Sequence, residues 1–396
     1  MLYLLSRRSK HRTSTSAHGL QCLFYCNQGS VKNIPSDSKY AQFSGGVHID
    51  ERLSNIELLR IIAMFLVLVV HANFFSISAP TQIETVESTI PSIVRFFFQS
   101  FSIICVDLFI LISGWFGIKP KLKSLSNFLF QCLFFLIGIY TVMLLCGLTT
   151  LSVKGILGCF FMLKWNWFIK AYLGLYLLAP FLNAYIEKST KKQFRLILLC
   201  FFVFQTIYGW SGAAEFFLGG YSSMSFVGLY LLARYVHLYP NKLTSFSKNV
   251  DLAIFMVIVL FETFLSFMLV RFGFSPLIGF VFSYVSPLVI ISAFYLLLYF
   301  SKLNIKSKII NWIATSCFAV FLLHTNPELC LSYFKPFVQS LYTKYTGVIC
   351  LFYIALFLIW IYIVAVLIDQ VRKYCWDRFW NLCILPKLKK CDSSSK

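Results

Sequence analysis

Long apolar runs, separated by short polar and Lys-rich segments, follow one another along most of the chain. A helix that crosses a bilayer needs about 20 predominantly apolar residues. Ten runs come close to that length, the fifth and ninth being the shortest. They lie at residues 56–77, 93–118, 127–149, 167–186, 196–210, 221–239, 251–271, 278–300, 310–325 and 346–368. The pattern therefore predicts an all-α, polytopic membrane protein with about ten transmembrane helices.

The composition supports this fold class and excludes several others. Of the 396 residues, 59% are hydrophobic and 13% are charged, whereas a soluble domain has about 45–50% apolar and about 25% charged residues. Such an excess does not fit a soluble core, a disordered chain or a disulfide scaffold. The 13 cysteines lack disulfide or metal-ligand spacing, so we interpret them as small apolar residues or free thiols and expect no metal site.

The positions of the basic residues predict the orientation. With ten spans and both termini on one side, 27 of the 35 Lys and Arg residues lie on that side and seven on the other, with Arg60 inside the first span. Positive residues collect in cytoplasmic loops, so both termini are predicted to be cytoplasmic. The net charge of +20 then reflects topology, and no nucleic-acid partner is expected.

The chain divides into three parts by composition. Residues 1–51 are rich in Ser, Lys, Arg and Gly without a long apolar run, which predicts a disordered basic N-terminal extension, or a translation start assigned too early. Residues 52–368 form the predicted transmembrane domain. Residues 369–396 are predicted to be a basic cytoplasmic tail.

Ionisable groups inside a membrane are costly and are functional candidates by default. The predicted spans contain Arg60, His71, Asp107, Glu262 and His324. Arg60 and His71 are 11 residues apart, so they share one helix face about 16 Å apart along the axis. This stripe suggests a path from the cytoplasmic mouth to a buried base. The alternative is a snorkelling arginine and a histidine that is hydrogen-bonded within the bundle.

Asp107 is predicted to lie at nearly the depth of His71. It is 12 residues, or about 18 Å, from the inner end of the second span at Lys119. An Asp–His pair would orient the imidazole and stabilise its protonated form, although Asp107 could equally bond a partner in another helix. Glu262 and His324 either line the same cavity or are paired within the bundle.

The end of the second span carries a further group of candidates. Ser113 and Gly114 precede Trp115 and permit close helix packing. Lys119, Lys121 and Lys123 follow. These lysines are either ordinary positive-inside residues or a phosphate-binding rim at the mouth that holds Arg60.

These residues resemble the membrane-bound acyltransferase family 3, the glycan O-acyltransferases. Asn55–Arg60, followed after ten residues by His71, is similar to its Arg-x10-His signature, and Val106–Trp115 resembles its second-helix motif. Trp167–Asn183 and Phe321–His324 resemble two later motifs. The likeness covers about residues 52–368. Many members have arginines where this chain has three lysines, and lysine lacks the bidentate fork of arginine.

The resemblance implies transfer of an acyl group, chiefly acetyl, from cytoplasmic acyl-CoA to a hydroxyl of a cell-surface or lipid-linked glycan. Acyl-CoA would be a cosubstrate, with no permanently bound cofactor. His71 would act as general base with help from Asp107, and Arg60 with the three lysines would bind CoA phosphates. Ser113, Trp115, Glu262 and His324 are further site-lining candidates.

The resemblance also implies a multi-pass protein of the cytoplasmic membrane, in contact with membrane lipid. Some members carry a fused extracytoplasmic domain, so this chain is expected to act alone or with a separate extracytoplasmic partner. A different class of function is a polysaccharide exporter or proton-coupled transporter that uses the buried charges as a proton relay. An assay for acyl-CoA turnover distinguishes an acyltransferase from an exporter or transporter. The sequence does not determine which sugar and which hydroxyl group accept the acyl group, or whether that group is acetyl or succinyl. It also leaves open whether a covalent acyl-enzyme forms and what the oligomeric state is.

The predicted orientation places the segment around Glu87 outside the cell. A Glu87→Cys variant should react with a membrane-impermeant thiol reagent in intact cells, because this loop faces the medium. The unmodified protein is the control for labelling of its own cysteines. Labelling that requires cell lysis would reverse the orientation.

Overall fold

The computed structural model describes residues 53–160, 166–384 and 386. These residues form helices and loops, with no strand among them. The predicted N-terminal extension 1–51, and the predicted tail after residue 386, lie outside the described residues. The helices are α1 Ser54–Val70, α2 Gln82–Glu87, α3 Thr89–Ser102, α4 Cys105–Phe116, α5 Leu122–Leu145, α6 Val153–Phe160, α7 Trp167–Lys188, α8 Lys191–Phe204, α9 Ser223–Leu238, α10 Lys248–Arg271, α11 Ile278–Val281, α12 Pro287–Ser301, α13 Lys308–Ala314, α14 Cys317–His324, α15 Pro327–Leu329, α16 Lys335–Lys344 and α17 Gly347–Phe379.

The all-helical membrane fold is confirmed for the described residues. Seven segments are long and apolar enough to cross a bilayer, and an eighth is possible if the bent pair Lys308–His324 and Pro327–Lys344, with 63° between its parts, is one span. The seven are Ser54–Phe75, Thr89–Phe116, Leu122–Leu145, Trp167–Lys188, Lys191–Ser211, Lys248–Arg271 and Gly347–Cys383.

The count of about ten spans and the sidedness of the termini stay predictions. Three predicted runs form shorter or broken helices. Run 221–239 forms the 16-residue α9. Run 278–300 is divided between α11 and α12, and run 310–325 between α13 and α14. An apolar run gives length but does not show where tertiary packing interrupts a helix.

Several helices begin at residues that satisfy free backbone N–H groups. The Asn166 side chain accepts a hydrogen bond from the backbone of Phe168 at the start of α7. Thr190 and Gln193 form a reciprocal capping box at α8. Pro287 opens α12, where the missing N–H of proline costs no intrahelical bond. Local sequence therefore sets these helix starts.

Helix α1 is surrounded by other helices and changes geometry at its C-terminal end. It contacts α3, α4, α12, α13, α14 and α17. From His71 to Phe75 the helix widens to a π-type turn, in which Asn73 leaves helical geometry at φ −93° and ψ −111°. The Asn73 amide donates to the Arg95 carbonyl at 2.8 Å, and the Ser76 hydroxyl donates to the His71 carbonyl at 2.6 Å. These bonds hold the turn in place, and turns of this kind often occur at functional sites.

Helices α4 and α9 pack closely at Gly114. A Cβ atom at this position would meet the Tyr230 carbonyl oxygen and would lie 3.0 Å from the Ala233 Cβ. The predicted role of the Ser-Gly segment in close packing is therefore present in the structure. Beyond Gly117, at φ 76°, the loop is fixed because Ile118 donates to the Tyr230 hydroxyl at 3.1 Å.

Helix α17 continues past the predicted end of the last span. It runs to Phe379, so residues 369–379 of the predicted tail are helical. Asp369 and Arg372 are buried on this extension, so it packs against the rest of the bundle.

A Gly114→Ala substitution should destabilise the protein, because the added methyl group has no room against α9. Overpacking of this kind costs about 1–3 kcal/mol. Gly138→Ala is the matched control, since nothing lies within 4 Å of its added Cβ and alanine is the better helix former. Thermal unfolding in detergent should show a lower melting temperature for the first variant only, and equal melting temperatures would contradict the close contact.

Candidate functional site

Two histidines from distant parts of the chain meet at the ends of α1 and α14. His71 Nδ1 lies 3.3 Å from His324 Nε2, and the ring centroids are 5.0 Å apart at an interplanar angle of 70°. His324 is 4% exposed. The sequence predicted both as candidates but did not pair them.

The backbone determines which ring nitrogen carries a proton. His71 Nδ1 is 2.8 Å from the Val67 carbonyl oxygen, and His324 Nδ1 is 2.6 Å from the Val320 carbonyl oxygen. A carbonyl can only accept, so both Nδ1 atoms are donors. His324 Nε2 is then a lone-pair acceptor for the His71 Nδ1 hydrogen, which it shares with Val67. We infer that His71 Nε2, which has no hydrogen-bond partner among the described residues, carries the free lone pair of a base.

His71 borders a chamber of about 680 Å³. Its wall combines polar side chains, including Gln99 and Asn166, with an aromatic corner. In that corner the Trp167 and Tyr221 ring centroids lie 4.4 Å apart, and Tyr284 lies 5.2 Å from Tyr221. Aromatic walls with a few polar groups are typical of small-molecule sites.

Arg60 borders a second cavity, of about 280 Å³. Its guanidinium Nη1 is 2.7 Å from a Glu57 carboxylate oxygen, and the arginine side chain is 28% exposed. Ser113, one of the predicted lining residues, also faces this cavity, and its hydroxyl donates to the Phe109 carbonyl at 2.9 Å. The Tyr172 hydroxyl lies 3.4 Å from Ser113. This cavity therefore combines a cation with several hydroxyl groups.

Three side chains separate the two cavities. Val67, Val106 and Phe321 line both of them, so they form a partition that is one side chain thick. Arg60 and His71 lie on opposite sides of this partition along α1. The two residues therefore border neighbouring cavities, and a continuous path between them stays a prediction.

Asp107 does not form the predicted hydrogen bond with His71. It is fully buried at the start of α4, and neither carboxylate oxygen has a hydrogen-bond partner among the described residues. The imidazole of His71 bonds Val67 and His324 instead. The prediction rested on equal depth, and depth along two helices does not determine which way each side chain is rotated. A catalytic role for Asp107 stays a prediction.

The three predicted phosphate-binding lysines are exposed and line neither cavity. Lys119, Lys121 and Lys123 lie on the loop and first turn after α4. The Lys123 ammonium is 5.4 Å from the ring centroid of Trp380. If they bind phosphate, they do so outside the Arg60 cavity.

Trp115 and Glu262 also lie away from both cavities. The Trp115 ring packs against His237, with centroids 4.7 Å apart. Glu262 is fully buried in α10, and neither of its carboxylate oxygens has a hydrogen-bond partner among the described residues. The structure therefore does not place either residue beside His71.

A buried ion-pair network at the end of α17 was not predicted. Arg372 Nε donates to Asp369 at 2.8 Å, and its Nη1 donates to Asn127 at 2.8 Å. Gln131 donates to Asp369 at 3.0 Å, and Lys373 donates to the Thr315 hydroxyl at 2.5 Å.

The network fixes the Arg60 cavity from outside. Asn127, Gln131 and Thr315 all line that cavity, and each is held by a charged residue of α17. The sequence signal was an Asp with Arg and Lys three and four positions later, a helical spacing. It was missed because these residues follow the last apolar run. Among the described residues, no group of three or more His, Cys, Asp or Glu side chains is arranged to hold a metal ion.

Comparison with known families gives one result. A family model described as an acyltransferase domain matches residues 53–369. The match begins beside α1 and ends at Asp369, so it includes both cavities. A search of curated proteins and a search of solved structures each returned no match.

Asp369→Asn should strongly destabilise the fold, because it leaves the buried Arg372 guanidinium without its carboxylate. Breaking a buried pair from one side costs about 3–5 kcal/mol. The control is Asp377→Asn, the same change at an exposed position of the same helix. Thermal unfolding in detergent is the measurement, and similar curves for the two variants would show that the network contributes no stability.

Proposed function

The chain belongs to the membrane acyltransferase family 3, and we propose that it transfers an acyl group, with acetyl as the expected group, from acyl-CoA to a glycan hydroxyl. The proposal places the protein in the cytoplasmic membrane as a multi-pass enzyme. The donor approaches from the Arg60 side, taken as cytoplasmic, and the acceptor from the His71 side.

The observation that carries the proposal is the pair of cavities on one helix. A cation borders the first cavity and a base borders the second, with only Val67, Val106 and Phe321 between them. Acyl-CoA is anionic at one end and reactive at the other, joined by a long flexible arm. Its binding and reaction would need a cation near the phosphates and a base near the thioester, placed in that order along a narrow path.

The Arg60 cavity suits the donor. Arg60 would bind a CoA phosphate, and charge-assisted contacts of this kind are among the stronger hydrogen bonds. The side chains of Asn127 and Gln131 would meet the amide groups of the pantetheine arm. The exposed Lys119, Lys121 and Lys123 would add positive charge outside the cavity, where the adenosine phosphates remain in water.

The His71 chamber suits the acceptor. Trp167, Tyr221 and Tyr284 offer aromatic surface for the apolar face of a sugar ring, and Gln99 and Asn166 offer hydrogen bonds. In the reaction, His71 Nε2 takes the proton of the acceptor hydroxyl as its oxygen attacks the thioester carbonyl. The tetrahedral intermediate then breaks its C–S bond, and the departing sulfur receives that proton from His71. The products are the ester and free CoA.

His324 takes the positioning role that the sequence gave to Asp107. By accepting from His71 Nδ1 it fixes the ring and disperses charge when Nε2 is protonated. A general base contributes about 10²–10⁴-fold to a rate. His324, which orients the base, would affect the rate of the same proton-transfer step. A proton-coupled transporter would use the same buried groups as a proton relay, but it would not turn over acyl-CoA.

Arg60→Ala should raise the KM for acyl-CoA and leave the KM for the acceptor nearly unchanged. Loss of one charge-assisted contact is worth about 1.5–3 kcal/mol, or roughly 10–150-fold. Lys192→Ala is the control, because it removes one exposed positive charge from a residue that lines neither cavity. Radiolabelled acetyl transfer by purified protein gives both constants, and an unchanged donor KM in folded protein would remove Arg60 from the donor site.

His71→Ala should abolish detectable transfer while the protein still folds. His324→Ala should lower kcat less, and the double variant should match His71→Ala, because members of one catalytic unit are not additive. Transfer and hydrolysis of [¹⁴C]acetyl-CoA are the measurements, with detergent gel filtration as the folding check. Near-normal turnover by His71→Ala would overturn the mechanism, and no acyl-CoA turnover by the intact protein would favour the transporter.

A further inference from the structure

A third cavity, an almost wholly apolar groove, lies between the bent helix pair Lys308–His324 and Pro327–Lys344 and helix α17. Its volume is about 800 Å³, and its walls include Phe337, Leu356, Phe357, Trp360 and Val364. Leu356 is 47% exposed and Trp360 is 60% exposed, so the groove opens on the outer surface of the helical bundle. In a membrane-spanning protein this surface faces hydrocarbon.

Only hydrocarbon is available to fill such a groove, because the bilayer interior holds almost no water. Lipid tails are as apolar as the groove itself. Apolarity therefore gives little preference for one lipid over another, and any selection must come from the lipid's polar part. The position of the groove relative to the polar chamber is the deciding feature.

One helical turn separates this groove from the His71 chamber. Cys330 and Leu331 line the chamber, whereas Tyr333 and Phe334 line the groove. His324 borders the groove, and its Nε2 atom lies 3.3 Å from Nδ1 of His71, which borders the chamber. An amphiphile with its chain in the groove would bring its head to the base by passing over the Cys330–Phe334 turn.

We propose that the groove binds the hydrocarbon chain of a lipid whose hydroxylated headgroup occupies the His71 chamber. Under the proposed function, on which this assignment of the head rests, that lipid is the acyl acceptor. The groove fixes the chain, and the aromatic corner of the chamber holds the head beside His71 Nε2. The acceptor is thus drawn from the bilayer and not from water.

The test uses two photoreactive probes on the full chain in phospholipid nanodiscs. One is a dodecyl glucoside with a diazirine near its chain end, and the other is the same chain without the sugar. Crosslinked peptides are mapped by mass spectrometry. The sugar-bearing probe should label residues 329–341 and 353–364, and should do so about tenfold more than the sugar-free probe, as expected for one or two hydrogen bonds to the head.

Substitutions that fill the groove should remove this labelling. Leu356→Trp fills one end and Val364→Phe fills the other, so one of the two remains informative if the other misfolds. Ile359→Trp is the matched control, because Ile359 is 45% exposed on the same helix but does not line the groove. Labelling should be lost in the first two variants and kept in the control.

Two results would overturn the inference. Uniform labelling of all membrane-facing helices would mean that only bulk lipid covers this face, and equal labelling by both probes would mean that the groove does not select a headgroup. Acyl-CoA hydrolysis is measured in parallel on the unmodified protein. Failed labelling with intact hydrolysis defeats only the lipid groove, whereas headgroup-selective labelling without any hydrolysis defeats the acyl-transfer function and leaves a lipid site.

Discussion

The polar side chains of α1 must find their partners inside the bundle, because the bilayer interior offers no water to replace a missing hydrogen bond. At one end of the helix, Asn55 donates to the Phe300 carbonyl at 2.9 Å. At the other end, Asn73 donates to the Arg95 carbonyl at 2.8 Å. Arg60 and His71 lie between these anchors. The helix is therefore held at both ends, which fixes the position of the two groups that the proposed chemistry uses.

Val67, Val106 and Phe321 separate the cavity that Arg60 borders from the chamber that His71 borders. A base that faces one chamber and a cation that faces another can act on two different substrates only if the substrates meet between them. Under the proposed function, the three apolar side chains would keep water away from the thioester at that point. They also have to move, or to be displaced by the acyl group, before transfer can occur. The partition is therefore the place where size selection of the acyl group is expected.

The environment of His71 differs from that of a histidine paired with a carboxylate. Its partner at Nδ1 is a neutral imidazole together with a backbone carbonyl, so the protonated form gains dipolar stabilisation and not a full ion pair. The Glu57 carboxylate pairs with Arg60, which borders the smaller cavity. Under the proposed function, an anionic donor would share or replace that contact, and Arg60 would stay partly neutralised until the donor arrives.

Much of the fold and part of the site follow from the sequence alone, for a physical reason. Apolar length reports membrane helices, charge bias predicts their orientation, and helical spacing places Arg60 and His71 on one face, since all three depend only on the local chain. Tertiary structure alone decided the pairing of His71 with His324, the failure of Asp107 to reach His71, and the support of the donor cavity by Asp369 and Arg372. These contacts depend on the rotation and approach of helices distant in the chain. No period within a single helix encodes that rotation.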